Sequence, residues 1–243
     1  MKRTAVSIDW DTFVPEKSEW DIGHSETQFH HDQLWTVRPH LLEAMTTNGE
    51  EKTFWERFHR VFDVSDHALI HVSDSHLFAY QELPEDVERL VLIDAHHDAW
   101  SLSWDGHIQC DTWVRHWLNE RRSNEVVWVQ ANWPGPKDFG LPPDMHSRFR
   151  KGRLRDLEKL IKGGPWACPV HVCRSGCWTP PWLDQAFIDF VAASGLTPVR
   201  IEAKGNSGDW DPLTCRWDEQ RYQELNRVHR FFDHVGDHHV DQS

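Results

Sequence analysis

The chain has 243 residues, 39 acidic and 26 basic, and a formal net charge of -13. That length suits a single α/β domain over residues 1–243, large enough to bury a core without disulfides. The acidic balance and the lack of a basic stripe argue against a nucleic-acid or anionic-membrane partner, and suit a small-molecule or peptide substrate with a cationic group.

No apolar run approaches the roughly 20 residues that span a bilayer. The opening Met1-Lys2-Arg3-Thr4 runs straight into a strand-like segment rather than the uninterrupted apolar stretch of a signal peptide, so a cytoplasmic location is expected. The five Cys form an odd set that a reducing compartment keeps as thiols, and oligomerisation stays open. The 18 His make metal ligation worth testing, and the 15 Trp suit core and pocket wall.

In chain order, Thr4–Asp9 (TAVSID) is the first predicted strand. Pro15–Arg38, with His24, His30 and His31, reads as a long polar loop near a site. Lys52–Phe62 places Phe54, Trp55, Phe58, Val61 and Phe62 at helical spacing. Strands follow at Ala68–Ser73 and Arg89–Asp94, then a helix from a cap at Asp111 to about Arg122, then a strand at Glu125–Gln130. Met145–Lys162 reads as a basic amphipathic helix stopped by Gly163-Gly164. Pro169–Cys173 is a strand, and Thr179 caps a helix with Pro180 at its first position and Gly195 at its close. Pro198–Glu202 is the sixth strand and Arg216–Val235 the final helix; the His-bearing tail Asp233–Ser243 is expected to fray. The strand runs are nearly continuous in apolar residues, as strands covered on both faces are. Their alternation with helices predicts a three-layer α/β/α domain with a mostly parallel sheet.

In such a sheet ligands bind at the carboxyl ends of the strands. There the first strand offers Asp9 and Asp11, the second Asp74 and His76, the third Asp94-Ala95-His96-His97-Asp98, and the sixth Glu202. If Asp94-x-His96-x-Asp98 stays extended, its alternate side chains converge. Carboxylates so close repel one another unless a cation sits among them. Mixed Asp/His ligation suits Mn²⁺, Zn²⁺ or Fe²⁺ better than Ca²⁺. Asp9 and Asp11 present a second carboxylate pair, and His76 competes with Asp74 and His71 for the remaining ligand position. Cys173-x₃-Cys177, with Cys168 nearby, has no second pair to make a thiolate zinc site.

These residues resemble the arginase–deacetylase (ureohydrolase) superfamily, whose marks are a His after one strand, an Asp-x-His-x-Asp run after the next and an Asp-x-Asp pair after another. Here the counterparts are His76, Asp94/His96/Asp98 and Asp9/Asp11. The likeness over about residues 68–135 is closer to an arginase-like branch that includes peptide arginases. It rests on Val72–His76, Leu92–Asp98, Cys110–Trp113 and Val127–Trp133.

The resemblance implies an arginase-like fold and two Mn²⁺ ions. Asp98 and His76 would hold one, His96 and Asp11 the other, with Asp94 and Asp9 bridging. It further implies Glu202 as the guanidinium anchor and His107 as a proton shuttle, with arginine or peptidyl arginine as substrate. Trp10, Trp100 and Trp104 are candidate pocket walls. One departure stands out: the family's Asp-x-Asp comes late, where this chain has Cys173-Arg174-Ser175-Gly176-Cys177 and no carboxylate. Either Asp9 and Asp11 reach the centre from the first strand, or one metal is lost and a deacetylase-like amide hydrolase, or a non-catalytic metal- or ligand-binding module, becomes the better reading.

Overall fold

The structure, a computed structural model, describes residues 4–15, 45–62, 64, 68–84, 87–100, 106–120, 125–132, 141–161 and 169–200. The polar loop with His24, His30 and His31, Trp104, Cys168, Glu202, the helix Arg216–Val235 and the histidine tail lie outside these residues.

Seven strands form one sheet: β1 (Thr4–Asp9), β2 (Leu69–Ser73), β3 (Arg89–Ile93), β4 (Glu125–Gln130), β5 (Phe149–Arg153), β6 (Val170–Cys173) and β7 (Thr197–Arg200). Their order is β5-β4-β3-β1-β6-β2-β7, and every pairing is parallel. The helices are α1 (Glu51–Val61), α2 (Leu77–Glu82), α3 (Trp113–Glu120), α4 (Leu157–Leu160) and α5 (Asp184–Ala193). The fold is therefore three-layer α/β, and the strand period of two divides its core into two clusters.

On one face Val6, Ile8, Ile70, Val72, Val91, Val127 and Val172 pack with Phe54 and Phe58 of α1, Leu157 of α4, and Phe187 and Phe190 of α5. On the other, Ala5, Leu90, Leu92 and Val126 pack with Ala79 of α2 and Trp113, Trp117 and Leu118 of α3. Trp10 belongs to the first cluster: it is 1% exposed and lies against Phe13, Phe187 and Phe190. It is core, not pocket wall.

Three helix expectations need correction. Met145–Lys162 is not one helix but a 3-10 turn at Pro143–Arg148, strand β5, a second 3-10 turn at Leu154–Asp156, and the short α4. Among the described residues the run Phe149-Arg150-Lys151-Gly152-Arg153 pairs only with β4 and forms the sheet edge, where charged residues discourage further pairing. The Leu160 side chain lies over Gly152 and would have to shift to admit a Cβ there.

Thr179 does not cap a helix. Its hydroxyl turns back to the carbonyls of Arg174 (2.7 Å) and Ser175 (3.1 Å), closing the loop after β6, and α5 begins only at Asp184 after a 3-10 turn. Gly195 does follow α5 in the left-handed conformation, φ +70°. The helix placed after Asp111 starts at Trp113, behind a turn in which the Thr112 hydroxyl accepts from the Gln109 amide at 2.9 Å.

Candidate metal centre

The carboxyl ends of β1 and β3 are neighbours, with Ile8 paired to Ile93. Asp9 and Asp94, each one residue further along, therefore start side by side. Both turn the chain in the same way. The Asp9 carboxylate accepts from the Asp11 amide at 3.1 Å, and the Asp94 carboxylate accepts from the His96 amide at 2.7 Å. These are Asx turns, which short acidic side chains favour. Asp11 then sits in the 3-10 helix Trp10–Phe13, and Asp98 adopts a left-handed φ of +48°. The three side chains of Asp94-x-His96-x-Asp98 thus converge through a turn rather than by the extended alternation expected, because β3 ends at Ile93.

His76 comes from the turn between β2 and α2. Its Nδ1 lies 2.8 Å from Asp98, 3.1 Å from Asp94 and 3.2 Å from Asp9 carboxylate oxygens. His96 Nδ1 lies 3.0 Å from Asp11 and 3.7 Å from Asp94. Among the described residues two groupings have ligand-type geometry, Asp9/His76/Asp94 and Asp11/Asp94/His96, and Asp94 belongs to both. The three aspartates Asp9, Asp11 and Asp94 and His76 are buried, and His96 is the more open member, its side chain 28% exposed.

The competitors of His76 point elsewhere. His71 Nδ1 is 3.2 Å from Glu82, and the Asp74 carboxylate accepts from the Gly176 amide at 3.2 Å. His97 turns away from the centre, accepting from the Ala99 amide at 3.0 Å, its ring against Trp100 and Trp128. Trp100 thus backs His97. His107 is exposed and lies outside both groupings, and the buried thiols of Cys173 and Cys177 are in neither.

Asp9 and Asp11 do reach the centre, and the loop after β6 supports them. The Ser175 hydroxyl donates to Asp9 at 2.6 Å, from a residue with φ of +54°. The indole N–H of Trp113 donates to Asp98 at 2.7 Å. Neither supporting residue follows from a ligand pattern, although Trp113 lies in the Cys110–Trp113 stretch that carries the resemblance.

The electrostatics are those of a site built around positive charge. Burial, then the charge of Asp9, pushes Asp11 up to about 6. Burial, then Asp98, Asp11 and Asp9, pushes Asp94 well above the carboxylate range. Burial opposes charging His76 and His96, yet the surrounding carboxylates outweigh it and hold both well above the usual imidazole value. Burial also opposes ionising Asp98, but His76, His96 and Trp113 outweigh it and keep Asp98 low.

Asp11 Oδ1, Asp94 Oδ2 and His76 Nδ1 are all buried without a properly directed hydrogen bond. Buried polar atoms without partners are costly. A divalent cation among oxygen and imidazole donors resolves that cost, so these buried Asp/His groups fit a metal ion.

The metal-free protein should accordingly lose stability as pH rises. Asp11 binds its proton more tightly folded than unfolded, so its contribution is full below its ordinary 3.8 and is lost through about 6. The contributions of His76 and His96 are full below 6.5 and are lost as pH passes their raised folded values. Asp98 acts oppositely, losing its contribution only below 3.8. A cation replaces the lost protons, so Mn²⁺ at a hundred times its pH 8 Kd should raise Tm by about 5–10 °C at pH 8, and the same concentration should raise it by less at pH 5.5. Thermal scans with and without Mn²⁺ at the two pH values check this. A shift that is equal at both, or larger at the lower, contradicts it.

No protein-family model, curated protein or solved structure matches the chain. Among the described residues, no helix is long and apolar enough to cross a membrane.

Proposed function

We propose that the protein is a binuclear manganese-dependent hydrolase. It cleaves a C–N bond in the guanidinium group of arginine or peptidyl arginine, releasing urea and ornithine or its peptidyl form. The observation behind this reading is the convergence of Asp and His side chains from the ends of β1, β2 and β3 into two groupings that share Asp94. The resemblance of Asp94-Ala95-His96-His97-Asp98 to the ureohydrolase pattern supports the choice of reaction.

In this reading Asp9, His76 and Asp94 would hold one ion and Asp11, Asp94 and His96 the other, with Asp98 beside His76 completing the first. Bound there, divalent ions would supply Lewis acidity, which makes water a nucleophile near neutral pH. The protein residues keep the ligands oriented and bulk water out. Ser175 and Trp113 fix Asp9 and Asp98 by directed hydrogen bonds. Substrate enters past His96, the more open member, whose ring lies 5.8 Å from that of Trp178. His107 carries a proton to the departing amine, and Glu202 anchors the guanidinium through its two oxygens.

The second grouping, Asp11/Asp94/His96, favours two ions over the single ion of a deacetylase-like site. The test is a matched assay of the Mn²⁺-loaded protein: urea from arginine and an arginine peptide, acetate from an acetyl-lysine peptide. Urea release that is lost on chelation supports the proposal. Acetate release without urea transfers the site to amide hydrolysis, and a loaded protein that releases neither is a binding module.

A further inference from the structure

We propose that Ser7, His171 and Ser73 form a hydrogen-bond relay that keeps the proton on His76 Nε2, so that Nδ1 is the nitrogen that gives up its proton and offers a lone pair when a cation enters the Asp cluster. The inference rests on the metal-centre reading above and concerns how the protein prepares one ligand.

β6 lies between β1 and β2, which places Ser7 beside His171 and Ser73 beside Cys173 in register. Ser7, His171 and Ser73 lie on the sheet face opposite to Val6, Ile8 and Val172, and all three are 0% exposed. The His76 and His171 rings stack nearly parallel, 8° apart, at 5.9 Å.

Hydrogen-bond directions follow from the far end of the relay. The Ser73 hydroxyl lies 2.8 Å from the Ser75 carbonyl, which only accepts, so its one proton is committed there. Ser73 Oγ must then accept from His171 Nε2 at 2.9 Å. His171 has hydroxyls at both ring nitrogens and no carboxylate against it, so it is a neutral imidazole with Nδ1 unprotonated.

The Ser7 hydroxyl therefore donates to His171 Nδ1 at 3.1 Å. Having spent its proton, Ser7 Oγ accepts from His76 Nε2 at 2.8 Å. His76 Nδ1 is left facing Asp9, Asp94 and Asp98. The orienting partner of a metal-bound histidine is commonly a carboxylate or carbonyl. Here it is a serine, itself oriented by a second histidine, and these are positioning residues that act through His76.

The test reads the tautomer directly. Long-range ¹H–¹⁵N spectra of the Zn²⁺-loaded protein with ¹⁵N-labelled histidine should show both His76 and His171 protonated on Nε2. Zn²⁺ titrations should show Ser7→Ala binding about 10–100-fold more weakly than wild type, with Ser7→Thr, which keeps the hydroxyl, recovering most of the loss. A His171 proton on Nδ1 in the loaded protein, or a Ser7→Ala variant that binds Zn²⁺ as tightly as wild type, overturns the relay alone, whereas a His76 proton on Nδ1 also removes His76 from the ligand set. A wild-type protein that takes up no Zn²⁺ overturns the metal-centre reading along with it. The wild-type spectrum decides the question even if a Ser7 variant fails to fold.

Discussion

Asp94→Asn should abolish divalent-metal uptake at both groupings while leaving the metal-free protein at pH 8 as stable as wild type or more so. Asp94 is common to the two groupings, so no single carboxylate is harder to replace. Its loss should weaken Mn²⁺ binding by more than the roughly 10–100-fold typical of removing a supporting partner. The opposite sign in the metal-free protein comes from repulsion. Asp94 is 0% exposed, and burial together with Asp98, Asp11 and Asp9 disfavours its charge. Asn keeps the acceptor for the His96 amide and removes that charge, and His76 retains Asp9 and Asp98. Elemental analysis after Mn²⁺ loading and thermal scans of the metal-free pair check both halves. Metal uptake equal to wild type contradicts the first half. A fall of about 10 °C in the metal-free Tm would instead make Asp94 a structural counter-ion.

That crossed signature separates a ligand from a polar strand end, a distinction local sequence cannot make. The sequence shows that Asp94, His96 and Asp98 are close together, because they are adjacent in the chain. It cannot show that Asp9 and Asp11 join them, since this follows from β1 lying beside β3, a pairing across about eighty residues. The same limit hid Ser175. Read for carboxylates, Cys173–Cys177 looks empty, yet β6 on the other side of β1 brings its hydroxyl to Asp9.

Central strands were legible because their apolar runs are covered on both faces. β5 was not: Arg150, Lys151 and Arg153 make it polar, and Met145, Leu154, Leu157 and Ile161 around it imitate a helical stripe. The Asx turns at Asp9 and Asp94 show another limit. Strand alternation and a turn place the same residues together, and only the backbone separates them.

The loop after β6 makes the second large prediction, that Asp184→Ala costs about 3–5 kcal/mol of stability, the usual result of breaking a buried ion pair from one side. Arg174 is 1% exposed. Its Nε donates to Asp184 at 2.7 Å, and its Nη2 donates to the same carboxylate. Without Asp184 the guanidinium loses its close carboxylate, and that of Asp74 lies further off, at 3.9 Å. At 2–4 °C per kcal/mol for a chain of this size, Tm should fall by about 6–20 °C.

The neighbour of Arg174 is Ser175, so the variant should also loosen Asp9 and weaken metal binding. Ser175→Ala isolates that part: it removes one hydrogen bond to Asp9 and should lower metal affinity with little change in the metal-free Tm. Replacing both ends of the pair, Arg174→Met with Asp184→Leu, should recover most of the lost stability, because neither charge of the pair is then left buried without the other. Denaturant unfolding of the single and double variants decides the matter. A single variant that loses less than about 1 kcal/mol would mean that solvent reaches Arg174 and that the loop is held by the Thr179 hydrogen bonds instead.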